Sequence, residues 1–191
     1  MQNIETHPWA PFVPDGAKAL VLGAFPPGEH RWSMQFYYPN PQNDFWRIVG
    51  LLFYGDRNAL YDAGARSFRA DDIKSLLASK GIAMADTAVT ARRLRGNASD
   101  KYLEPVDVLD LAAVLRRMPG CRAMGTTGER AASILAGITG TAVPAIGQPF
   151  DAEGWPTIWR LPSSSRAYPL SLEKKAAVYE RFFRSAGIEL L

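Results

Sequence analysis

The sequence predicts an α/β fold, a three-layer α/β/α sandwich around a mostly parallel, four-stranded central sheet. Short apolar runs alternate along the chain with segments of helical spacing, which is typical of βαβ units. The runs are continuously apolar, as expected for strands that are buried on both faces. The 191 residues are 47% hydrophobic and 21% charged, as in an ordinary globular protein. We therefore interpret residues 1–191 as one domain.

The first predicted strand covers residues 18–24, a continuous apolar run that ends in glycine and alanine. Residues 1–17 before it contain three prolines and are interpreted as an irregular lead-in. Residues 25–28 contain two adjacent prolines, which end the strand and begin a loop. After this loop Asn43 or Asp44 can cap a helix with a strongly apolar face.

The rest of the chain alternates between helices and strands. The predicted elements after the first helix are a connection over 55–70, a helix over 72–80, a strand over 82–87, a polar and basic stretch over 88–105, a helix over 107–117, a strand over 122–126, a helix over 129–137, strands over 141–146 and 157–161, and a helix over 171–186. Open parallel sheets bind ligands beyond the carboxyl ends of their strands. Residues 23–28, 86–90, 126–128 and 162–168 should therefore share one functional rim.

Residues 35–46 contain the densest group of aromatic and amide side chains. An aromatic ring offers a stacking face and an amide can bond to a polar edge, so the combination suits a nucleobase. Phe45 and Trp46 have helical spacing with later apolar residues, which favours a place in the core. Tyr38 lies in the loop and suits either the core or a stacking platform. Asn43 suits either a ligand contact or a plain helix cap.

A run of small hydroxyl side chains follows the predicted strand at 157–161. Ser163, Ser164 and Ser165 can donate hydrogen bonds to a phosphate beside backbone N–H groups, and Arg166 is long enough to reach into a duplex. A Ser-rich turn without a ligand is the plain alternative. The segment alone is therefore a weak indication of phosphate binding.

Basic side chains form two clusters although the net charge of the chain is only +3. Arg92, Arg93 and Arg95 lie within four residues, and residues 163–184 hold five basic against two acidic side chains, a local net of +3. Each cluster is compatible with a solvated surface or with a phosphate backbone. Their common position near the predicted rim favours a nucleic-acid partner.

Several other classes of protein are excluded. The single cysteine, Cys121, excludes an intramolecular disulfide framework and a four-cysteine iron–sulfur cluster, and two histidines are too few for most zinc sites. Nucleotide-binding glycine motifs and the Gly-x-Ser-x-Gly elbow are absent from the sequence. We expect no metal and no cofactor. No long apolar run and no secretory signal occur, so we expect a cytoplasmic protein without a membrane segment.

Five short motifs resemble, in the same order, those of the uracil-DNA glycosylase superfamily. They are LGAFP at 22–26, YYPNPQNDFW at 37–46, GIAMAD at 81–86, GTTGERA at 125–131 and LPSSS at 161–165. The nearest branch is the hypoxanthine-DNA glycosylase-like one, while the tail at 171–179 is similar to the mismatch-specific uracil/thymine glycosylases. The resemblance covers roughly residues 18–186.

The resemblance implies a monofunctional DNA-repair glycosylase that needs no cofactor, and we expect a monomer. It would flip a deaminated or mispaired base out of DNA and hydrolyse its N-glycosidic bond, leaving an abasic site. The roles that it implies are catalysis for Asn43 and for the backbone of Gly23 and Ala24, base binding for Phe25, Pro26, Tyr38 and Thr126, and DNA binding for Ser163, Ser164, Ser165, Arg166, Arg92, Arg93 and Arg95.

Two departures from the superfamily pattern keep alternatives open. Phe25 stands where mismatch-specific relatives carry an asparagine that positions water, and the histidine of the strict uracil branch is missing from the serine motif. A non-catalytic binder of damaged DNA on the same fold is therefore the main alternative. A hydrolase of free nucleosides is a further one, which the basic clusters disfavour because a free nucleoside has no phosphate to hold.

Overall fold

The protein folds around a mostly parallel central sheet. The computed structural model describes residues 4–94 and 102–191. The sheet consists, in spatial order, of β5 (Ile82–Asp86), β2 (Ala19–Gly23), β8 (Ala123–Thr127), β10 (Thr157–Leu161) and β9 (Pro149–Phe150). The first four strands are parallel, and the two-residue β9 pairs antiparallel with β10. The predicted α/β fold with a mostly parallel sheet is confirmed.

Helices cover both faces of this sheet. They are α1 (Phe45–Tyr54), α2 (Ala70–Lys80), α3 (Leu111–Arg116), α4 (Glu129–Thr139) and α5 (Leu172–Ser185). Alternate side chains of β2 enter two different cores: Ala19 and Val21 pack with α1, α2 and α5, whereas Leu20 and Leu22 pack with α3 and α4. This alternation produces the three layers. None of the helices in the described residues is long and apolar enough to cross a bilayer.

A second, antiparallel sheet lies outside the predicted architecture. It consists, in spatial order, of β1 (Ile4–Thr6), β6 (Ala88–Arg93) and β7 (Leu103–Val108). The expectation of an irregular lead-in is therefore wrong for residues 4–6, which pair with β6. The predicted helix over 107–117 begins only at Leu111, since the residues up to Val108 belong to β7.

Two connections also differ from the prediction. Residues 55–70 contain a small hairpin of β3 (Tyr61–Asp62) and β4 (Ser67–Phe68). The strand expected over 141–146 is wrong, because the structure shows there only an isolated bridge from Ile146 to Arg160. The edge of the sheet is instead formed by β9.

Candidate functional site

Buried polar side chains gather at the carboxyl end of the parallel sheet. In the described part of the chain, the buried polar and charged residues are Asp44, Asp86, Thr87, Thr126, Thr127, Ser164 and Lys175. Burial of a polar group costs free energy unless it is hydrogen-bonded. A concentration of such groups at one end of a parallel sheet therefore marks the candidate site.

Gly23, the last residue of β2, is the point where two polar side chains meet the backbone. A Cβ atom on Gly23 would lie 2.4 Å from Asp86 Oδ1 and 3.0 Å from the Tyr38 hydroxyl oxygen. The first distance is too short for any side chain at this position, and the second is unusually tight. Glycine therefore allows a carboxylate and a phenol to lie directly against the end of the strand.

The main chain around Gly23 is firmly held by the following loops. Its carbonyl oxygen accepts hydrogen bonds from Thr87 N at 2.8 Å and Thr87 Oγ1 at 3.1 Å. The Ala24 carbonyl accepts from Ala88 N at 3.1 Å, and the Pro26 carbonyl accepts from Arg93 Nη2. Ala24 and Phe25 are buried. The segment predicted to line a base pocket is thus rigidly fixed between β5 and β6.

Tyr38 crosses the site with its ring packed on the core. The ring stacks on Phe45 at 4.1 Å between centroids and 16° between planes, and its hydroxyl lies 2.6 Å from Thr127 Oγ1. Tyr38 is half-buried and has a φ of 51°, a left-handed conformation that is uncommon for a side chain of this size. Such strain clusters at functional sites, where the surrounding structure holds it in place.

The neighbouring Tyr37 belongs to the core. It is 1% exposed, its hydroxyl donates to the Ala10 carbonyl at 3.1 Å, and burial together with the Asp86 charge raises its pKa. Of the two loop tyrosines, only Tyr38 is placed to contact a ligand.

Asp86 has a partner from the beginning of the chain. His7 Nε2 donates to Asp86 Oδ2 at 2.9 Å, and these two side chains are 6% and 7% exposed. The His7 backbone N–H donates to the Val89 carbonyl at 2.8 Å, and its ring lies edge-on to Phe25 with 5.5 Å between centroids. Because Oδ2 is occupied by His7, the Oδ1 atom of Asp86 is the one that faces Gly23.

Sequence reasoning assigned no role to either member of this pair. A carboxylate directly after four apolar residues of a buried strand was a usable local signal for Asp86. His7 offered none, since its position depends on the pairing of β1 with β6.

Asn43 has the backbone-capping role that the sequence allowed, and its geometry leaves the ligand contact possible. Its Oδ1 accepts a hydrogen bond from Phe45 N at 2.8 Å, at the start of α1. This bond fixes the orientation of the amide, and no hydrogen bond within residues 4–94 and 102–191 uses the Asn43 Nδ2 group. Asn43 therefore caps the backbone with its oxygen and keeps two N–H donors for a ligand.

The serine segment forms a tight loop after β10. Ser163 Oγ accepts from Ser165 N at 3.2 Å, and Ser165 Oγ accepts from Ala167 N at 3.3 Å. Ser165 and Arg166 are exposed and Ser163 is partly exposed, whereas Ser164 is only 3% exposed. The expectation that all three hydroxyls contact phosphate is corrected, because the side chain of Ser164 points into the protein.

This loop is joined to α1 and α5. The backbone of Asn43 forms an isolated bridge with Ser165, and Asp44 N donates to the Ser164 carbonyl at 2.9 Å. Asp44 also pairs with Lys175 at 3.0 Å and with Arg166 at 3.4 Å. Lys175, which the sequence placed in a basic DNA-facing cluster, is fully buried.

Thr126 is a second correction. Its side chain is fully buried and donates to the Trp159 carbonyl at 3.2 Å on the adjacent strand. The hydroxyl that reaches Tyr38 belongs to the next residue, Thr127. Successive side chains of a strand point to opposite faces, so a shift of one residue changes which threonine lies at the site.

The first basic cluster is also used differently from the prediction. Arg93 is 12% exposed in its side chain, pairs with Glu5 at 3.0 Å and bonds to the Pro26 carbonyl, so it supports the loop after β2 rather than facing solvent. Arg92 is 41% exposed and lies 3.5 Å from Glu104. Arg95 lies outside the described residues. No three His, Cys, Asp or Glu side chains within the described ranges converge to hold a metal ion.

Comparisons with known proteins indicate the fold. No family model matches the chain, and no curated protein matches it. Among solved structures, it is similar to the solution NMR structure of a putative uracil DNA glycosylase from Methanosarcina acetivorans. The two chains share 20% sequence identity with a TM-score of 0.63, over 97% of this chain and 99% of the other. At this identity the likeness shows that the two chains share a fold.

Proposed function

We propose that this chain is a DNA glycosylase of the uracil-DNA glycosylase superfamily, which removes a deaminated base from DNA and leaves an abasic site. The observation that carries the proposal is the approach of Asp86 Oδ1 and the Tyr38 hydroxyl to Gly23 at the end of β2. The shared fold and the order of the five motifs support it. Hypoxanthine and uracil are the substrates that we expect.

The Asp86 carboxylate favours deaminated bases through its hydrogen-bonding capacity. An ionised carboxylate only accepts hydrogen bonds. Hypoxanthine and uracil carry an N–H group beside a carbonyl on the ring edge where adenine and cytosine carry a bare, accepting nitrogen. Asp86 Oδ1 would accept a hydrogen bond from the N–H group of hypoxanthine or uracil. It would repel the accepting ring nitrogen of adenine or cytosine. His7 holds the other carboxylate oxygen and so fixes the orientation of Asp86.

Cleavage of the N-glycosidic bond leaves negative charge on the departing base and positive charge on the sugar. Asn43 Nδ2 would donate to the base, and the backbone N–H groups of the loop after β2 would share the charge. The DNA phosphates would stabilise the cationic sugar until water adds to it. A sugar cation needs no strongly activated water, which is consistent with Phe25 at the position of the water-positioning asparagine.

The rim around the pocket would hold the DNA. Ser163, Ser165 and Arg166 would contact phosphates, and Tyr38 would stack on the flipped base, a contact that contributes about 1–3 kcal/mol in other proteins. Extrusion of a base costs a few kcal/mol and least for a mispaired one. The flipping step thus adds to the selection for damaged sites.

The decisive experiment measures base release from duplexes that contain a single hypoxanthine, uracil or xanthine, with free inosine in parallel. We expect release from a duplex and none from inosine. Asn43→Ala should lower the single-turnover rate about 100–1,000-fold while DNA binding remains, because one oriented donor is lost. Asn40→Ala is the matched control, since Asn40 Oδ1 makes the same kind of bond to Gln42 N at 2.9 Å in the same loop.

Each other outcome identifies an alternative. An Asn43→Ala protein with the wild-type rate would contradict the role of Asn43. Binding without release would support a non-catalytic binder of damaged DNA, the second candidate, which the buried Phe25 at the water position favours. Release of hypoxanthine from free inosine would instead indicate a nucleoside hydrolase.

A further inference from the structure

The best-buried charge of the site belongs to Lys175 in α5. Its side chain is 0% exposed, and Nζ donates to Asp44 Oδ2 at 3.0 Å and to the Ser165 carbonyl at 2.8 Å. A buried ion pair is a weak source of stability, because apolar side chains of similar volume often stabilise a protein as well or better. The position of this pair in the fold suggests another purpose.

The pair joins the two segments that the proposed function uses most. Asp44 directly follows Asn43, and Ser165 belongs to the loop that would contact phosphate. Lys175 bonds to both of them from a helix 131 residues beyond Asp44. The backbone bridge between Asn43 and Ser165 and the bond from Asp44 N to Ser164 O complete the connection. Asn43 and the serine loop are thereby held as one unit.

The second oxygen of Asp44 connects this unit to the surface. Arg166 Nε lies 3.4 Å from Asp44 Oδ1, and the Arg166 side chain is 54% exposed. One carboxylate thus lies between a buried cation and an exposed cation that can reach a phosphate. The geometry gives the buried pair a direct link to the DNA-facing side of the loop.

We propose that Asp44 and Lys175 are positioning residues, which lock Asn43 to the serine loop so that contact of the loop with a DNA phosphate places the Asn43 amide at the base. This inference rests on the proposed function. Neither residue touches the reacting atoms. Both act through the position of Asn43.

The test compares a neutral version of the pair with a matched surface pair. Asp44→Asn/Lys175→Met removes both charges of the buried pair and leaves no unpaired buried charge, so it should fold; Arg166 loses its partner, but its side chain is 54% exposed and stays solvated. Arg69→Met/Asp72→Asn removes an exposed ion pair of 4.0 Å from α2 and its start, outside both basic clusters. We expect single-turnover base release at saturating DNA to fall about 100-fold in the first variant, since small displacements of a catalytic group have effects of this size. The second variant should keep the wild-type rate.

A double-mutant cycle shows whether the effect passes through Asn43. Adding Asn43→Ala to Asp44→Asn/Lys175→Met should lower the rate by less than about 3-fold, because the two changes act on the same group. A full additional loss would contradict the proposal, as would a wild-type rate in the variant that lacks the pair. Should that variant not unfold cooperatively, the same cycle is run with Asp44→Asn/Lys175→Gln, which also removes both charges and keeps an N–H donor at position 175.

The Asn43 side-chain amide gives a readout that does not depend on catalysis. Its ¹⁵N-correlated signals are assigned by their loss in Asn43→Ala. They should shift in Asp44→Asn/Lys175→Met and stay unchanged in Arg69→Met/Asp72→Asn. Unshifted signals in the first variant would overturn the positioning role. A wild-type protein that releases no base would contradict the proposed function and leave this spectroscopic test intact.

Discussion

The two ends of the parallel sheet bury different chemistry. At the amino end Ala19, Ile82 and Ala123 are buried among apolar neighbours, whereas the carboxyl end buries Asp86 and Thr127. The apolar end is stabilised by packing that any well-shaped hydrophobic set can supply. The polar end depends on specific partners for each group. The candidate site therefore occupies the end of the sheet where the loss of one partner leaves a buried polar group unsatisfied.

Lys175→Met tests the polar end most severely. It leaves the Asp44 carboxylate without its buried cation, and the loss of one partner of a buried pair costs about 3–5 kcal/mol. Urea denaturation measures the change in the free energy of unfolding. Lys174→Met is the control, because Lys174 is the exposed neighbour of Lys175. This substitution should change the free energy of unfolding by no more than about 0.5 kcal/mol. Equal losses of stability in the two variants would mean that the burial of Lys175 and its pairing with Asp44 do not determine the cost.

Cys121 provides the corresponding test at the amino end, with pH as the variable. Burial raises the pKa of the Cys121 thiol from 9.0 to about 11, so the folded protein keeps the proton that the unfolded chain loses. This contribution is fully present below pH 9 and is lost as the pH rises through 11. Two pKa units correspond to at most about 2–3 kcal/mol.

Denaturation of Cys121→Ala at pH 8 to 11 should therefore show a smaller loss of stability than the wild type. Burial also raises the pKa values of Tyr37 and Tyr179, which act alike in both proteins and so cancel in the difference. The same dependence of stability on pH in the two proteins would mean that burial at this end of the sheet does not raise the pKa of the thiol.

His7→Phe replaces the imidazole ring at the polar end by a ring of similar size that has no hydrogen-bond donor. Asp86 Oδ2 then loses its partner inside the protein, and an unsatisfied buried acceptor costs about 1–3 kcal/mol. Thermal and urea unfolding measure the loss, and base release should fall as Asp86 reorients. His30→Phe changes the exposed histidine in the short 3-10 helix Glu29–Arg31 and should leave both properties unchanged.

Tyr38→Phe should have the smallest effect on stability. It removes the hydroxyl that lies 2.6 Å from Thr127 Oγ1 and keeps the stack on Phe45. A typical hydrogen bond contributes about 1 kcal/mol, which is the expected decrease in the free energy of unfolding. Tyr54→Phe, on a residue that is 48% exposed, should show almost none. A decrease of several kcal/mol would show that the hydroxyl, and not the stacked ring, holds Tyr38 in place.

Local patterns in the sequence were sufficient for the framework of the fold. The continuous apolar runs at β2, β5 and β8 predicted buried parallel strands, since each pattern lies within a few residues of chain. The two possible roles of Asn43 were also visible, because a helix cap depends on neighbours in the chain. The site residues whose positions depend on pairing with distant parts of the chain could not be predicted from local patterns.

The missed or misplaced residues share this cause. The position of His7 is set by β6, more than 80 residues further on. Thr126 was chosen over Thr127 because the neighbouring strands and helices decide which face of a strand points to the site. Lys174 and Lys175 are adjacent lysines, and nothing in the local sequence distinguishes a buried one from an exposed one. Only the helix register, which places Lys175 on the side of Leu172 and Tyr179, separates a buried cation from a solvated one.

The shortness of β1 bears on how readily the contact between His7 and Asp86 opens. Three residues pair with β6 to bring His7 to Asp86, a contact across 79 residues of sequence. An edge strand with so few contacts opens at a lower free energy than the central sheet. We therefore expect the His7 amide, which bonds to the Val89 carbonyl, to exchange with solvent faster than the amides of β2, and its exchange rate measures how readily the contact of His7 with Asp86 opens.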